Sequence, residues 1–301
     1  MITNSYRSRV ELLIRIIPAI TAEEDLAIHG GTAINLFVKD LPRYSIDIDL
    51  TYIPILRRAE TIDNINACLK RISDRLRQSI KGIQIAQRPD ICKLLCGFGE
   101  SKVKIEVNQT KRGIVAGTPQ VTPLCAKAQD EFRMYCEAKD VPISLLYGGK
   151  IAAALSRQHP RDLFDVKHMD CSLSDVKEGI LYSLLGSDRP ISESISPNLI
   201  DQTKVTETQF MGMTDTPFTY QDYEATRSEL IKGIQDLFSE SEKDFLISFE
   251  SGEPQWSLIR YKSFEKYPSV EWKLLNIHKL KENDPERFAK QITKLKESLG
   301  R

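Results

Sequence analysis

Two aspartates one residue apart, Asp47 and Asp49, stand in the stretch YSIDIDLTYI, whose alternation of apolar and polar residues predicts a β-strand. On a strand, residues two apart face the same side, so both carboxylates project together. Such a pair repels itself unless solvent or a shared cation intervenes. Mg²⁺ suits it, because that ion takes a few carboxylate oxygens and completes its shell with phosphate and water. Taken alone, a DxD is equally the polar side of an edge strand. A third acid, Glu106, interrupts the apolar run KVKIEV. If a neighbouring strand brings it beside the pair, Asp47, Asp49 and Glu106 form a site for two Mg²⁺ ions. Such a pair of ions activates an attacking hydroxyl and stabilises departing pyrophosphate. In isolation, Glu106 is just as well an outward residue of an alternating strand.

Upstream lies His29-Gly30-Gly31-Thr32, between an apolar run and a helical pattern. Paired glycines let backbone approach a ligand closely, and the start of the following helix offers N–H groups to an anion. On its own this is only a turn before a helix. Together, the Gly-Gly turn, the helix, the Asp-x-Asp strand and the later strand carboxylate resemble the nucleotidyltransferase superfamily of the DNA polymerase β type. In particular, GGTAINLF followed by RYSIDIDL resembles the AbiEii/AbiGii nucleotidyltransferase toxin family. The gap from Gly31 to Asp47 is slightly longer than usual there, which implies a longer helix or turn between them.

A second block, YGGKIAAALSR followed by PRDLFD, resembles that family's helix Lys…Arg and its Arg-Asp-x-x-Asp. Lys150 and Arg157 are seven apart and share one helix face. Beside a phosphate site they would form a cationic clamp; elsewhere they are two solvated cations of an amphipathic helix. Asp162, in the first turn of its helix, would also complement the helix dipole. Beside the family motif, Lys150 and Asp162 read as functional and Asp165 as structural, with Arg157 open to either.

These residues need a frame. SRVELLIRIIPAI reads as a helix that Pro18 ends or bends, TAINLFVKDL as another, and a long one spans about Ala59 to Ile80. GIQIAQR, ICKLLCGFG and SKVKIEVNQT are three further strands. Beyond Pro142 the pattern turns helical, with Ser144 as a cap, helices over Tyr220–Phe238 and Glu242–Phe249, and a last one opened by Asp284-Pro285. Residues 187–218 read as a long connection. The expected architecture is α/β (α+β): a small mixed-sheet nucleotidyltransferase domain over 1–125 and a mostly helical C-terminal lobe over 126–301 that carries the second set of site residues. With 301 residues, two domains is also the expectation from length.

Lys+Arg and Asp+Glu both number 42, which argues against a dedicated DNA-coating protein. The balance hides an asymmetry. Residues 67–113 hold 11 Lys/Arg against 4 Asp/Glu, and residues 161–253 hold 8 against 19. Solvated faces explain both; beside a phosphate-handling motif, the basic stretch is also compatible with an RNA backbone. No run approaches the roughly 20 apolar residues of a membrane span, and the six cysteines and four histidines lack zinc spacing, so the expectation is a cytoplasmic protein without zinc or membrane partner.

The resemblance implies attack of an acceptor hydroxyl on the α-phosphorus of an NTP, in a toxin of a bacterial toxin–antitoxin or phage-defence pair with a separate cognate antitoxin. It places metal on Asp47, Asp49 and Glu106, phosphates on Gly30, Gly31, Thr32 and Ser45, and triphosphate charge on Lys150 and Arg157, with Asp162 in the catalytic set. tRNA is the candidate acceptor. The alternatives are a small-molecule or protein nucleotidyltransferase, and a nucleotide-binding module without transfer activity.

Overall fold

The computed structural model describes residues 4–301. Its strands are β1 (Leu26–His29), β2 (Asp47–Tyr52), β3 (Gln84–Arg88), β4 (Lys93–Phe98), β5 (Ser101–Val107), β6 (Gln120–Pro123) and β7 (Glu137–Asp140). They form one mixed sheet in the order β3-β4-β5-β2-β1-β7-β6. The helices are α1 (Asn4–Thr21), α2 (Gly30–Ala33), α3 (Arg58–Ser79), α4 (Ala126–Phe132), α5 (Ile143–Arg157), α6 (Pro160–Lys167), α7 (Lys177–Leu185), α8 (Ile191–Ile195), α9 (Thr203–Val205), α10 (Tyr220–Leu237), α11 (Glu240–Glu250), α12 (Pro268–Asn283) and α13 (Pro285–Ser298).

The period of two decides which face of the sheet is covered. Leu26, Ile28, Ile48, Leu50, Leu94, Val103 and Ile105 are buried on one side. Helices α1 and α3 pack there: Gln87, which shares the face of Ile85, donates to the Asn66 carbonyl of α3, and Arg15 of α1 lies over the Phe98 ring. The opposite side carries Asp47 and Asp49 on β2, Lys102, Lys104 and Glu106 on β5, Lys93 and Leu95 on β4, and Ala86 and Arg88 on β3. One side is therefore core, and the other carries the three carboxylates singled out in the sequence.

The structure departs from the sequence reading in several places. Helix α1 runs through Pro18, whose missing N–H falls in the last turns on an exposed face, where one lost bond is tolerated. The stretch TAINLFVKDL is not one helix: α2 gives way to a π-helical turn over Ile34–Val38. Ser144 lies inside α5 rather than capping it, and its hydroxyl accepts from the Gly179 N–H at 3.0 Å.

The chain forms two compact units, divided at Pro142 rather than at residue 125. The later boundary follows from β6 and β7: β7 pairs with β1 in parallel and β6 pairs with β7, so both belong to the sheet. Residues Thr208–Pro217, expected to be connection, return to the first unit. The second unit is helical, built on α5 against α7. Their backbones touch at two glycines: a Cβ on Gly148 would sit 2.1 Å from the Gly179 carbonyl carbon, and one on Gly179 would sit 1.8 Å from the Ser144 oxygen. Asp284 caps α13 by accepting from the Arg287 N–H at 3.0 Å, as its position before Pro285 suggests. Among the described residues, no helix is long and apolar enough to cross a membrane.

Candidate active site

Strand β2 pairs in parallel with β5 so that Asp47 lies opposite Lys104 and Asp49 opposite Glu106. All three carboxylates therefore rise from the same side of adjacent strands. Glu106, expected to share a metal ion, meets two lysines. Lys93, its register partner on β4, bonds one carboxylate oxygen at 3.0 Å, and Lys104, two residues before it, bonds the other at 2.9 Å. Burial pushes the Glu106 carboxyl up, but these two ammonium groups outweigh it and hold the carboxyl below its ordinary value. Lys104 is held above its ordinary value despite burial, through its bond to Glu106 and the fields of Asp47 and Asp49.

The Gly-Gly turn stands against the same carboxylates. Gly30 has φ +69°, and a Cβ there would lie 2.7 Å from Asp49 Oδ2, so this position favours glycine for conformation and for space. A Cβ on Gly31 would lie 2.8 Å from Arg43 Nη2 and 3.0 Å from Ser45 Oγ. The guanidinium of Arg43, only 3% exposed, is thereby laid along the turn. Thr32, expected at a phosphate, is fully buried, its hydroxyl 2.5 Å from the Asp47 carbonyl and 3.1 Å from Ser45 Oγ. The shorter distance assigns its proton to the carbonyl. Thr32 thus ties the helix start to the strand end that carries the aspartates.

Lys150, Arg157, Asp162 and Asp165 form a second cluster, in the helical unit. Asp162 and Asp165 lie one turn apart on α6 and share a face toward α5. The Lys150 ammonium, on a side chain buried within this cluster, is 2.9 Å from an oxygen of each. Arg157 grips Asp162 through two bonds of 2.5 and 2.9 Å. Burial raises the Asp162 carboxyl, but the Lys150 charge and the Arg157 bonds overcome it and keep the group ionised. Two cations meet two anions, so Lys150 does not stand as a ready phosphate cation. Arg157, with its side chain 59% exposed, is the member with a face to solvent.

The family profile described as nucleotidyl transferase AbiEii toxin, type IV toxin–antitoxin system, matches residues 11–276. The chain belongs to this AbiEii family. It is accordingly a nucleotidyltransferase toxin of a type IV toxin–antitoxin system, with an NTP as substrate and a cognate antitoxin. Comparison with curated proteins finds no match. Among solved structures, the chain is similar to MenT4, a nucleotidyltransferase toxin of Mycobacterium tuberculosis, with 13% identity and a TM-score of 0.59, over 91% of this chain and 93% of that one. At that identity the likeness concerns the fold.

As an AbiEii toxin the chain is expected to use a divalent metal, and the donor set can be judged against one. Asp47 and Asp49 offer hard carboxylate oxygens on one side of β2, next to a turn whose Gly30 leaves Asp49 its space, and these fit Mg²⁺. Glu106 fits less well, since a lysine meets each of its oxygens. Among the described residues, no three acidic, His or Cys side chains gather as a metal cluster. The sequence reading meets Arg43 only as part of the motif RYSIDIDL and gives it no role at the candidate site. Its signal was present, in RYSIDID just before the aspartates, but only the fold shows that its guanidinium returns to Gly31.

Proposed function

We propose that this AbiEii toxin transfers a nucleoside monophosphate from an NTP to an acceptor hydroxyl, with tRNA as the acceptor, in a Mg²⁺-dependent reaction at Asp47 and Asp49. The observation that carries this reading is the juxtaposition of two same-side aspartates with a glycine turn lined by a buried arginine. In the reaction, the acceptor oxygen bonds to the α-phosphorus, the bond to the bridging oxygen of the β-phosphate breaks, the hydroxyl proton leaves and pyrophosphate departs. Bound Mg²⁺ would neutralise charge on the phosphates and sharpen the nucleophile. The backbone of Gly30 and Gly31, the guanidinium of Arg43 and the hydroxyl of Ser45 would hold the phosphates; Thr32 would fix the strand end beneath them. Glu106, kept ionised by its lysines, would orient the attacking hydroxyl and would reach a metal only by releasing Lys93 or Lys104. Lys150, Asp162 and Asp165 would hold Arg157 in place, and Lys150 would meet a phosphate only by giving up an aspartate. Such chemistry on NTP and tRNA suits the cytoplasm and a role in phage defence.

The test is incubation of the purified chain with each α-labelled NTP, Mg²⁺ and total RNA. Label should enter RNA with one or more nucleotides, and Asp49→Asn should abolish it while leaving the melting temperature near that of the wild type. An Asp49→Asn variant that still labels at full rate moves the chemistry elsewhere.

A further inference from the structure

We infer that the open face of β3, β4 and β5 is the seat of the acceptor RNA's phosphate backbone, held by Arg88, Lys93, Lys102 and Lys104; this rests on the nucleotidyl-transfer reading above. The sheet register lays these residues out in rows. One row runs Asp49, Glu106, Lys93, Arg88 across four neighbouring strands, and the next runs Asp47, Lys104, Leu95, Ala86. Lys102 stands one step further along β5, opposite Gly97. Neighbouring strands are about 4.8 Å apart, so the backbone at Lys93 lies roughly 10 Å, and at Arg88 roughly 14 Å, from that of Asp49. A track of positive charge thus starts at the carboxylates and reaches the sheet edge.

This face is open. Leu95 remains 47% exposed although β4 is flanked by strands on both sides, and a Cβ built on Gly97 meets nothing closer than 3.9 Å. Of the neighbouring acids, Glu106 is held by Lys93 and Lys104, and Asp90 pairs with Arg88 at 3.8 Å, an exposed ion pair that solvent screens and a phosphate can displace. Leu95 and Ala86 are the apolar side chains of the two rows, which is little for the apolar core of a protein interface. A polar, cationic face suits nucleic acid instead. The rows contain no aromatic ring for base stacking, so the grip is on phosphates and tolerates sequence.

The same geometry removes the other half of the basic stretch from this role. Helix α3 lies on the covered side of the sheet, and its Arg71 and Arg75 both bind Glu23, Arg71 at 2.5 Å. Two clusters that merge along the sequence are thus separated by the thickness of the sheet.

The full-length chain carrying Arg88→Glu and Lys102→Glu tests this, since neither residue holds Glu106. RNA labelling, NTP binding and melting temperature are measured across a salt series, beside the covered-side pair Lys70→Glu and Arg77→Glu on α3. The open-face reversals should lower RNA labelling by about tenfold or more near 0.15 M salt and flatten its salt dependence, because two phosphate contacts are lost. NTP binding should hold, and the covered-side pair should label as the wild type does. Should the double reversal unfold, the milder Arg88→Gln, Lys102→Gln pair should show a smaller loss in the same direction. If RNA is labelled and the open-face variants match the wild type, or the covered-side pair loses labelling instead, this surface is wrong and the acceptor reading stands. If the wild type labels protein or a small molecule and no RNA, the acceptor reading falls, and this surface with it.

Discussion

Asp140 shows what a single residue costs in this fold. It sits at the end of β7, 3% exposed, with Oδ1 lacking any hydrogen-bond partner and Thr122 supporting the carboxyl. Burial pushes that carboxyl up to about 7, with the Thr122 bond pulling the other way. The unfolded chain therefore releases this proton near pH 4 while the folded chain keeps it to about 7. Between those limits the folded state binds more protons, so stability falls as pH rises, by up to about 1.4 kcal/mol per pH unit, and levels off above pH 7. Asp140→Asn removes the titration. Urea melts at pH 4 and pH 8 should find the variant near the wild type at the lower pH and more stable than it at the higher. Equal stability differences at both pH values would mean that the carboxyl titrates normally. Asp162 is the opposite case: it is equally buried, but Lys150 and Arg157 keep its charge. Burial alone fixes neither outcome; the partners do.

At the scale of elements, the second unit depends on α5 and α7 approaching at Gly148 and Gly179. A methyl at Gly148 would meet backbone atoms of α7 at 2.1 to 2.6 Å, and backbone cannot move aside as a flexible side chain can. Gly148→Ala should therefore cost about 3 kcal/mol or more, at the upper end of overpacking. Thermal melting should show a large drop, and an unchanged melting temperature would mean that the helices are less tightly apposed. This contact also marks where sequence stops being informative. The Asp-x-Asp strand, the Gly-Gly turn and the three strands after α3 were legible, because alternation and glycine punctuation are local signals. Strands β6 and β7 were not: EAKD is four residues long and mostly polar, and its pairing is with β6 along its length and with β1, more than a hundred residues away, at Ile28 opposite Asp140. The state of Lys150 was hidden for a similar reason. Its own helix shows a cation on a face, while the two aspartates that bind it arrive from α6. Charge counted along 67–113 likewise could not reveal that α3 and the β4–β5 pair lie on opposite sides of one sheet.

Over the whole chain, the AbiEii profile spans both units, and the path between them is not a single crossing. The chain leaves the first unit after Pro142, returns for Thr208–Pro217, and leaves again. The returning segment meets the loop that precedes the aspartates on both sides of Arg43. The Met213 carbonyl accepts from the Tyr44 N–H at 2.7 Å, and the Thr214 hydroxyl donates to the Pro42 carbonyl at 2.7 Å. Arg43 and Ser45, the proposed phosphate contacts, thus sit in a loop that a distant part of the chain holds in shape. Thr214→Val keeps the volume and removes this bond together with the exposed one that Oγ1 accepts from the Thr216 N–H, which should cost about 1 kcal/mol. If the bond mainly positions Arg43, that loss should appear as weaker NTP binding, by roughly two- to tenfold, with a smaller change in melting temperature. Thr214→Ser, which retains the hydroxyl, should restore affinity. Equilibrium NTP binding by the three proteins decides it: a Val variant that binds as tightly as the wild type makes Thr208–Pro217 a connection with no part in shaping the turn.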